Sequence, residues 1–292
     1  MFKGAITALI TPFKNDKVDE KAFQSFVDWQ IKKGIHGLVP CGTTGESPTL
    51  SHEEHNRVVE LCVEAAGGRV PVIAGTGSNS TVEAIQLAEH AKKAGADAIL
   101  VATPYYNKPN QEGLFQHYKA INDAVEIPLI LYNIPGRSVV DMTDQTIARI
   151  AKNLKNVVGL KDATGNLGRV GSLRVALEGQ KFCLLSGDDG TAVAFNAEGG
   201  IGCISVTSNI APDRVAAVQN ATLAWDYKKA LELHSELISV HSSMFCDSSP
   251  GPAKYAAELL GLCGSDVRLP VTKPGDDKKA IIKAALQKAK IL

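Results

Sequence analysis

Apolar residues along this chain come in short continuous runs that alternate with stripes at helical spacing. The runs are Ala5–Ile10, Gly37–Val39, Val70–Ala74, Ala98–Ala102, Leu129–Tyr132, Val157–Leu160, Phe182–Leu185 and Gly202–Val206. Each is short and bounded by turn residues, the pattern of strands buried on both faces. Between them, Phe23, Phe26, Val27 and Ile31 fall at helix spacing and Gly34 closes the stripe. Ser51 and Glu54 form a capping box. Val82, Ile85, Ala88 and Ala91 form another stripe ending at Gly95, and Thr143 caps a helix carrying Ile147 and Ile150. Buried strands alternating with amphipathic helices predict an α/β fold, a (β/α)8 TIM barrel. An open doubly wound sheet is the alternative. It would be expected to carry a dinucleotide or phosphate loop after its first strand, where Thr11-Pro12-Phe13 stands instead.

Beyond the eighth run the strand pattern stops. The stretch from Pro212 to Leu292 reads as three or four helices punctuated by Pro250, Pro252 and Pro270. The expected division is therefore a barrel over residues 1–222 and a C-terminal helical extension over 223–292. In the last helix, Lys278, Lys279, Lys283, Lys288 and Lys290 read as a solvated face around Ile281, Ile282, Ala285 and Leu286.

Composition narrows the function classes. Lys plus Arg and Asp plus Glu are 31 each, so the formal charge is zero, which argues against a nucleic-acid or other polyanion binder. No apolar run approaches the ~20 residues of a membrane helix, and Ala5–Ile10 is too short for a secretory leader. The cysteines at 41, 62, 183, 203, 246 and 263 form no CxxC pair, which suits reduced thiols in the cytoplasm better than disulfides or zinc.

Polar residues gather at the C-terminal ends of the strands, the rim on which barrel enzymes build their sites. Gly42-Thr43-Thr44-Gly45-Glu46 ends the second strand, Gly75-Thr76-Gly77-Ser78-Asn79 the third and Thr103-Pro104-Tyr105-Tyr106 the fourth. The fifth gives Tyr132-Asn133-Ile134-Pro135-Gly136-Arg137, the sixth Lys161-Asp162, the seventh Ser186-Gly187-Asp188-Asp189. An ammonium at the end of the apolar run Val157–Leu160 is costly to desolvate. Lys161 could snorkel out or pair with a rim carboxylate such as Asp188. Partly desolvated among hydroxyls, it would instead have a lowered pKa and act as an amine that attacks a carbonyl to form a Schiff base. The protonated imine is an electron sink, which is metal-free aldolase chemistry. A metal-dependent aldolase would need rim histidines, yet those at 36, 52, 55, 90, 117, 234 and 241 avoid the strand ends, and His52-Glu53-Glu54-His55 lacks the HExxH spacing. No metal or cofactor is expected.

Tyr132 could simply fill the barrel mouth, or its phenol could pass protons with Thr43 and Tyr106 as partners. Tyr105 and Tyr106 are consecutive, so on a continued strand their rings would point to opposite faces. Arg137 could be a surface ion-pair member or a fork for a substrate carboxylate.

With GTTGES (42–47), GTGSN (75–79), TPYYNKP (103–109), YNIPGR (132–137), GLKDATGN (159–166) and LLSGDD (184–189) in this order, the chain resembles the dihydrodipicolinate synthase family. That family lies in the pyruvate-dependent aldolase and lyase superfamily, which also contains N-acetylneuraminate lyase. The resemblance runs from Phe2 to the C-terminal helices. It implies that Lys161 forms an imine with pyruvate, whose carboxylate is held by the Thr43/Thr44 turn and by backbone near Ile204, with Gly187 among the substrate-contacting positions. The enamine then attacks L-aspartate-4-semialdehyde, on the diaminopimelate route to lysine. Tyr132, Thr43 and Tyr106 match the family's proton relay, Tyr106 reaching a neighbouring subunit's site, and Arg137 matches the residue that receives the semialdehyde's carboxylate. A homotetramer built as a pair of dimers is implied, as is inhibition by L-lysine at positions matched by Ser47, His52, His55, Asn79, Glu83 and Tyr105. Glu83 and Asn79, four residues apart, would share one helix face. Two departures stand out: Ser138 where Thr is commoner, and Ser248-Ser249-Pro250-Gly251-Pro252 in place of an Asn-Pro stretch before Lys254. A related lyase acting on sialic acid or a 2-keto-3-deoxy sugar acid is the nearest rival, and a non-catalytic amino-acid-binding barrel the more distant one.

Overall fold

The computed structural model describes residues 2–292. Eight parallel strands form the barrel: β1 (Gly4–Ala8), β2 (Gly37–Val39), β3 (Ile73–Gly75), β4 (Ala98–Ala102), β5 (Leu129–Asn133), β6 (Val157–Asp162), β7 (Cys183–Ser186) and β8 (Gly202–Ser205). Neighbours pair in sequence order, and β1 also pairs with β8. Between β2 and β3 the ring is bridged by Leu38 N–H donating to Pro71 O at 3.0 Å and Gly75 N–H to Pro40 O at 2.9 Å. The strands are followed by α1 (Glu20–Lys32), α2 (His52–Ala66), α3 (Thr81–Ala94), α4 (Gln111–Ala124), α5 (Asp144–Asn153), α6 (Gly168–Ala176), α7 (Ala192–Ala197) and α8 (Pro212–Leu223). Three further helices make the extension: α9 (Tyr227–Ser243), α10 (Gly251–Leu259) and α11 (Asp276–Lys288). A short hairpin, Phe13–Lys14 with Lys17–Val18, lies between β1 and α1.

The alternation of side chains along each strand produces two cores. Ile6, Ala8, Val39, Ile73, Ala98, Leu100, Ile130, Cys183, Leu185 and Ile204 fill the inside of the barrel. Their neighbours, among them Ala5, Leu38, Ala74, Val101, Leu131 and Leu160, face the helices. The floor is tight: a Cβ on Gly202 would lie 2.6 Å from the Gly4 backbone. The barrel is thus solid below, and its cavity opens at the C-terminal rim.

The helix signals hold with two exceptions. Ser51 and Glu54 form the full capping box on α2, and Thr143 caps α5; each such cap contributes about 1 kcal/mol. On α3, however, the buried positions are Ala84, Leu87, Ala88 and Ala91, with Ile85 half-buried and Val82 66% exposed. The helix is turned toward small residues, because alanines let it lie close to the sheet. On α11, Ile282, Ala285 and Leu286 are buried while Ile281 faces outward.

Candidate active site

Strands β5 and β6 carry the central pair of side chains. Tyr132 and Lys161 are register partners, so the ladder itself sets both pointing into the barrel mouth. Lys161 is 7% exposed, and its Nζ lies 4.1 Å from the centroid of the Tyr132 ring. Among the described residues Nζ forms no ion pair; Asp188 is not its partner. The strands reach further than the apolar runs do, to Asn133 and Asp162, so both side chains sit on regular backbone rather than on loops.

The outward neighbours brace these strand ends. Asp162 points away from the barrel and takes hydrogen bonds from Thr164 N–H at 2.8 Å and Thr164 Oγ1 at 2.6 Å. Burial pushes its carboxyl pKa up, against the pull of Thr164 and of Arg169. Arg169 lies 3.6 Å from Asp162 and also contacts Asp144 and Asp141, the latter bound in turn by Asn133 at 2.6 Å. One guanidinium therefore ties the loop after β5 to the end of β6. At β7, Gly187 lets the chain pass close to β6: a Cβ there would meet that of Ala163 at 2.6 Å. Asp189, fully enclosed, accepts from Val206 N–H at 2.8 Å and Thr207 N–H at 3.0 Å, fixing the end of β8.

A cavity of about 510 Å³ opens above Lys161. Thr43, Thr44, Tyr132, Arg137, Lys161 and Gly187 line it. Thr43 and Thr44 stand on a three-residue 3-10 turn, Thr43–Gly45, with Thr44 buried and Thr43 exposed. Arg137 sits on a single helical turn, Pro135–Ser138, stapled by Ser138 Oγ to Ile134 O and Val140 O and by Thr103 Oγ1 donating to Ser138 Oγ. Serine in place of threonine at 138 keeps those bonds. Arg137 is exposed at the mouth and makes no ion pair among the described residues.

The same cavity runs sideways to Ser47, His52, His55, Glu83 and Tyr105. The Glu83 carboxylate accepts from Ser78 Oγ and sits 2.8 Å from His52 Nε2; these bonds, Ser78 first, hold its pKa below the usual value. His55 is buried with its Nε2–H donating to Gly75 O at 2.9 Å, which leaves Nδ1 bare and unpartnered. Burial lowers the His55 pKa to about 4, so the ring is neutral. Burial and the nearby Glu83 charge raise the Tyr105 phenol.

Three expected site residues do not line this cavity. Asn79 and Glu83 do not share a helix face: α3 starts at Thr81 with Ser80 as its cap, so Asn79 precedes the helix, and it does not line the cavity. The Ser80 side chain capping Glu83 N–H fixes that start. Tyr106 has a left-handed backbone (φ 70°) and is 89% exposed, pointing away from the cavity that Tyr105 lines. Ile204 faces the barrel interior two residues below Val206, which lines the cavity instead. The sequence pattern did not reveal Phe245 and Ser249, contributed by the extension, or Leu87 and Thr103. Only the polar rim motif around Thr103 carried any signal for them.

The family model for the dihydrodipicolinate synthetase family matches residues 1–289. The 4-hydroxy-tetrahydrodipicolinate synthase of Parvibaculum lavamentivorans is 61% identical over the whole of both chains. Among solved structures, the dihydrodipicolinate synthase of Acinetobacter baumannii complexed with pyruvate superposes with a TM-score of 0.97 at 46% identity, covering 100% of both chains. The enzyme of Cyanidioschyzon merolae with lysine bound gives 0.96 at 35% identity, covering 100% of this chain and 99% of its own.

Proposed function

The chain belongs to the dihydrodipicolinate synthetase family of lyases, and from that premise we propose that it condenses pyruvate with L-aspartate-4-semialdehyde through a Schiff base on Lys161. The observation that carries this reading is the enclosed, unpaired Lys161 amine facing the Tyr132 ring at the rim of the barrel. The amine adds to the C2 carbonyl of pyruvate, water leaves, and the imine forms. Loss of a methyl proton gives the enamine, whose carbon attacks the aldehyde. The semialdehyde's own amine then displaces Lys161 from the imine carbon and closes the ring of 4-hydroxy-tetrahydrodipicolinate. Tyr132, with Thr43, passes the protons that these steps require. Thr44 and Gly187, with backbone near Ile204, hold the pyruvate end. Arg137, unpaired at the mouth, receives the semialdehyde's carboxylate as a fork. The chemistry uses no metal or cofactor, in the manner of the class I aldolases.

Tyr106 completes the relay of a second protomer in a dimer, two dimers forming the tetramer; its exposed ring and left-handed backbone support that role. The Glu83 end of the cavity takes L-lysine as an inhibitor, its ammonium on the Glu83 carboxylate, with Ser47, His52, His55 and Tyr105 around it and Asn79 behind Tyr105, which its backbone contacts. No described helix is long and apolar enough to cross a membrane, and the cysteines are free, which supports a cytoplasmic location.

Borohydride reduction in the presence of pyruvate tests the chemistry. The expected result is a reduced pyruvate adduct on the Lys161 peptide; an unmodified peptide would support the non-catalytic barrel. Rate assays offering the semialdehyde, sialic acid or 2-keto-3-deoxy sugar acids separate the synthase from the sugar-acid lyases.

A further inference from the structure

The Thr43–Gly45 turn is held by few bonds of its own. Gly45 N–H reaches Gly42 O at 3.0 Å and Glu46 N–H reaches Thr43 O at 3.1 Å. On the barrel side, Thr11 Oγ1 donates to Gly45 O at 2.7 Å. The other side is anchored by residues more than 200 positions away in the chain. Glu46 has a left-handed backbone (φ 57°), which turns its carboxylate away from the cavity and into the extension, where it is 2% exposed. Lys254 of α10, 0% exposed, sets its ammonium 2.5 Å from Glu46 Oε1. That contact is ionic; the aligned hydrogen bond of Nζ goes to Asp266 O at 2.6 Å. Glu46 Oε2 accepts from Arg268 N–H at 3.0 Å. The Arg268 guanidinium donates to Thr49 O at 2.8 Å, just past the turn, and to Glu54 on α2 at 2.6 Å. The Phe13 ring lies beside both cations, 4.0 Å from Lys254 Nζ and 4.3 Å from Arg268 Cζ.

A buried ion pair of this kind is a poor device for stability, since an apolar pair of the same size does as well. It is a good device for geometry: an oriented carboxylate bound at both oxygens fixes the chain that carries it. Small displacements of a binding turn cost large factors in affinity and rate. We propose that Glu46 and Lys254, with Arg268, are positioning residues that set the Thr43–Thr44 turn for the keto-acid carboxylate, so that the C-terminal extension governs substrate binding without touching substrate. This rests on the reading of Thr43 and Thr44 as the carboxylate site.

The test is the double variant Glu46→Gln/Lys254→Met in the full chain, which removes both charges while keeping an acceptor for Arg268 N–H. Lys254→Met alone would strand a buried carboxylate and is not used. The KM for pyruvate should rise about tenfold or more, a larger factor than the fall in kcat that follows because the same turn carries Thr43, with borohydride still trapping pyruvate on Lys161. A folded double variant whose pyruvate KM stays within about twofold, or one that loses kcat alone, overturns the proposal. Should the double variant fail to fold, Arg268→Gln, which takes the guanidinium off Thr49 O and leaves the buried Glu46–Lys254 pair intact, carries the test, with a smaller rise in the same KM expected and an unchanged KM overturning it. If the parent protein itself traps no pyruvate, the functional reading fails, and the positioning role with it.

Discussion

The two ends of the cavity are built with opposite charge and on different scaffolds. At one end the Lys161 amine and the Arg137 guanidinium have no carboxylate partner among the described residues, and Lys161 stands on a strand locked in register with its neighbour. At the other end Glu83 is a carboxylate held by Ser78 and His52, in the first turn of α3, where the helix dipole favours negative charge. A keto acid fits the first end by its carboxylate and carbonyl. An amino acid fits the second by its ammonium. The strand pair is rigid and enclosed, as covalent chemistry demands; the Glu83 side chain is 38% exposed, as a reversible ligand site permits. On the proposed reading, one connected space separates substrate from effector by charge.

Lys161→Ala should break this contrast most severely. Turnover should fall by roughly a thousandfold or more and trapping by borohydride should vanish, since no other group supplies the amine. Thermal unfolding should stay near that of the parent, because no described residue ion-pairs with the lost amine. Lysine binding, measured by calorimetry, should survive. Trapping that persists on another lysine would refute the assignment. Tyr132→Phe should come next, with kcat down about a hundredfold and imine formation slowed rather than abolished.

The barrel was legible because doubly buried strands are written as continuous apolar runs, and the rim because its residues interrupt that pattern at a constant place. What was not legible follows from the same physics. The third strand begins at Ile73 and not Val70, since Pro71 has no N–H for the ladder. Alternation suggested opposed rings for Tyr105 and Tyr106, but the chain has left the strand there, and the separation comes instead from the left-handed backbone of Tyr106. Lys254 follows two prolines in a stretch that read only as a departure, yet it is the most deeply buried charged side chain among the described residues. Its partner Glu46 lies 208 residues earlier, and no local pattern reports a pair so far apart.

Arg137→Ala sharpens the comparison at the cationic end. The KM for the semialdehyde should rise about tenfold to a hundredfold, with the pyruvate KM changed far less, because the guanidinium stands at the mouth rather than over Lys161. Equal losses for both substrates would mean that Arg137 shapes the cavity instead of recognising one ligand. At the other end, Glu83→Gln should weaken lysine binding about tenfold, a larger change than any in kcat/KM. An unchanged lysine affinity would remove Glu83 from the effector site and leave the cavity with a single functional end.

The smallest expected effect comes from acid, and it again divides the ends. Burial holds His55, in the Glu83 end, at a pKa of about 4, and does the same to His117, whose ring meets Thr81 at the start of α3. Below the ordinary histidine value of 6.5 the unfolded chain binds protons that these folded rings refuse, so stability rises with pH between about 4 and 6.5 and is lost as pH falls through that window. His234 and His241 are lowered by burial as well and add to the same slope. The raised Asp162 has the opposite sign, and its window runs upward from the carboxylate value of 3.8, so it offsets part of the slope at the acid end. At pH 6 each of the two strongly shifted histidines should cost about 1 kcal/mol relative to pH 8, growing as the pH drops further. Urea unfolding at a series of pH values measures this, and His117→Gln should flatten the slope by the share of one ring. A midpoint that holds level from pH 7 to 5 would show that these rings are not kept neutral by burial. The Lys161 end, whose lining holds no histidine, would then be no better protected from acid than the Glu83 end.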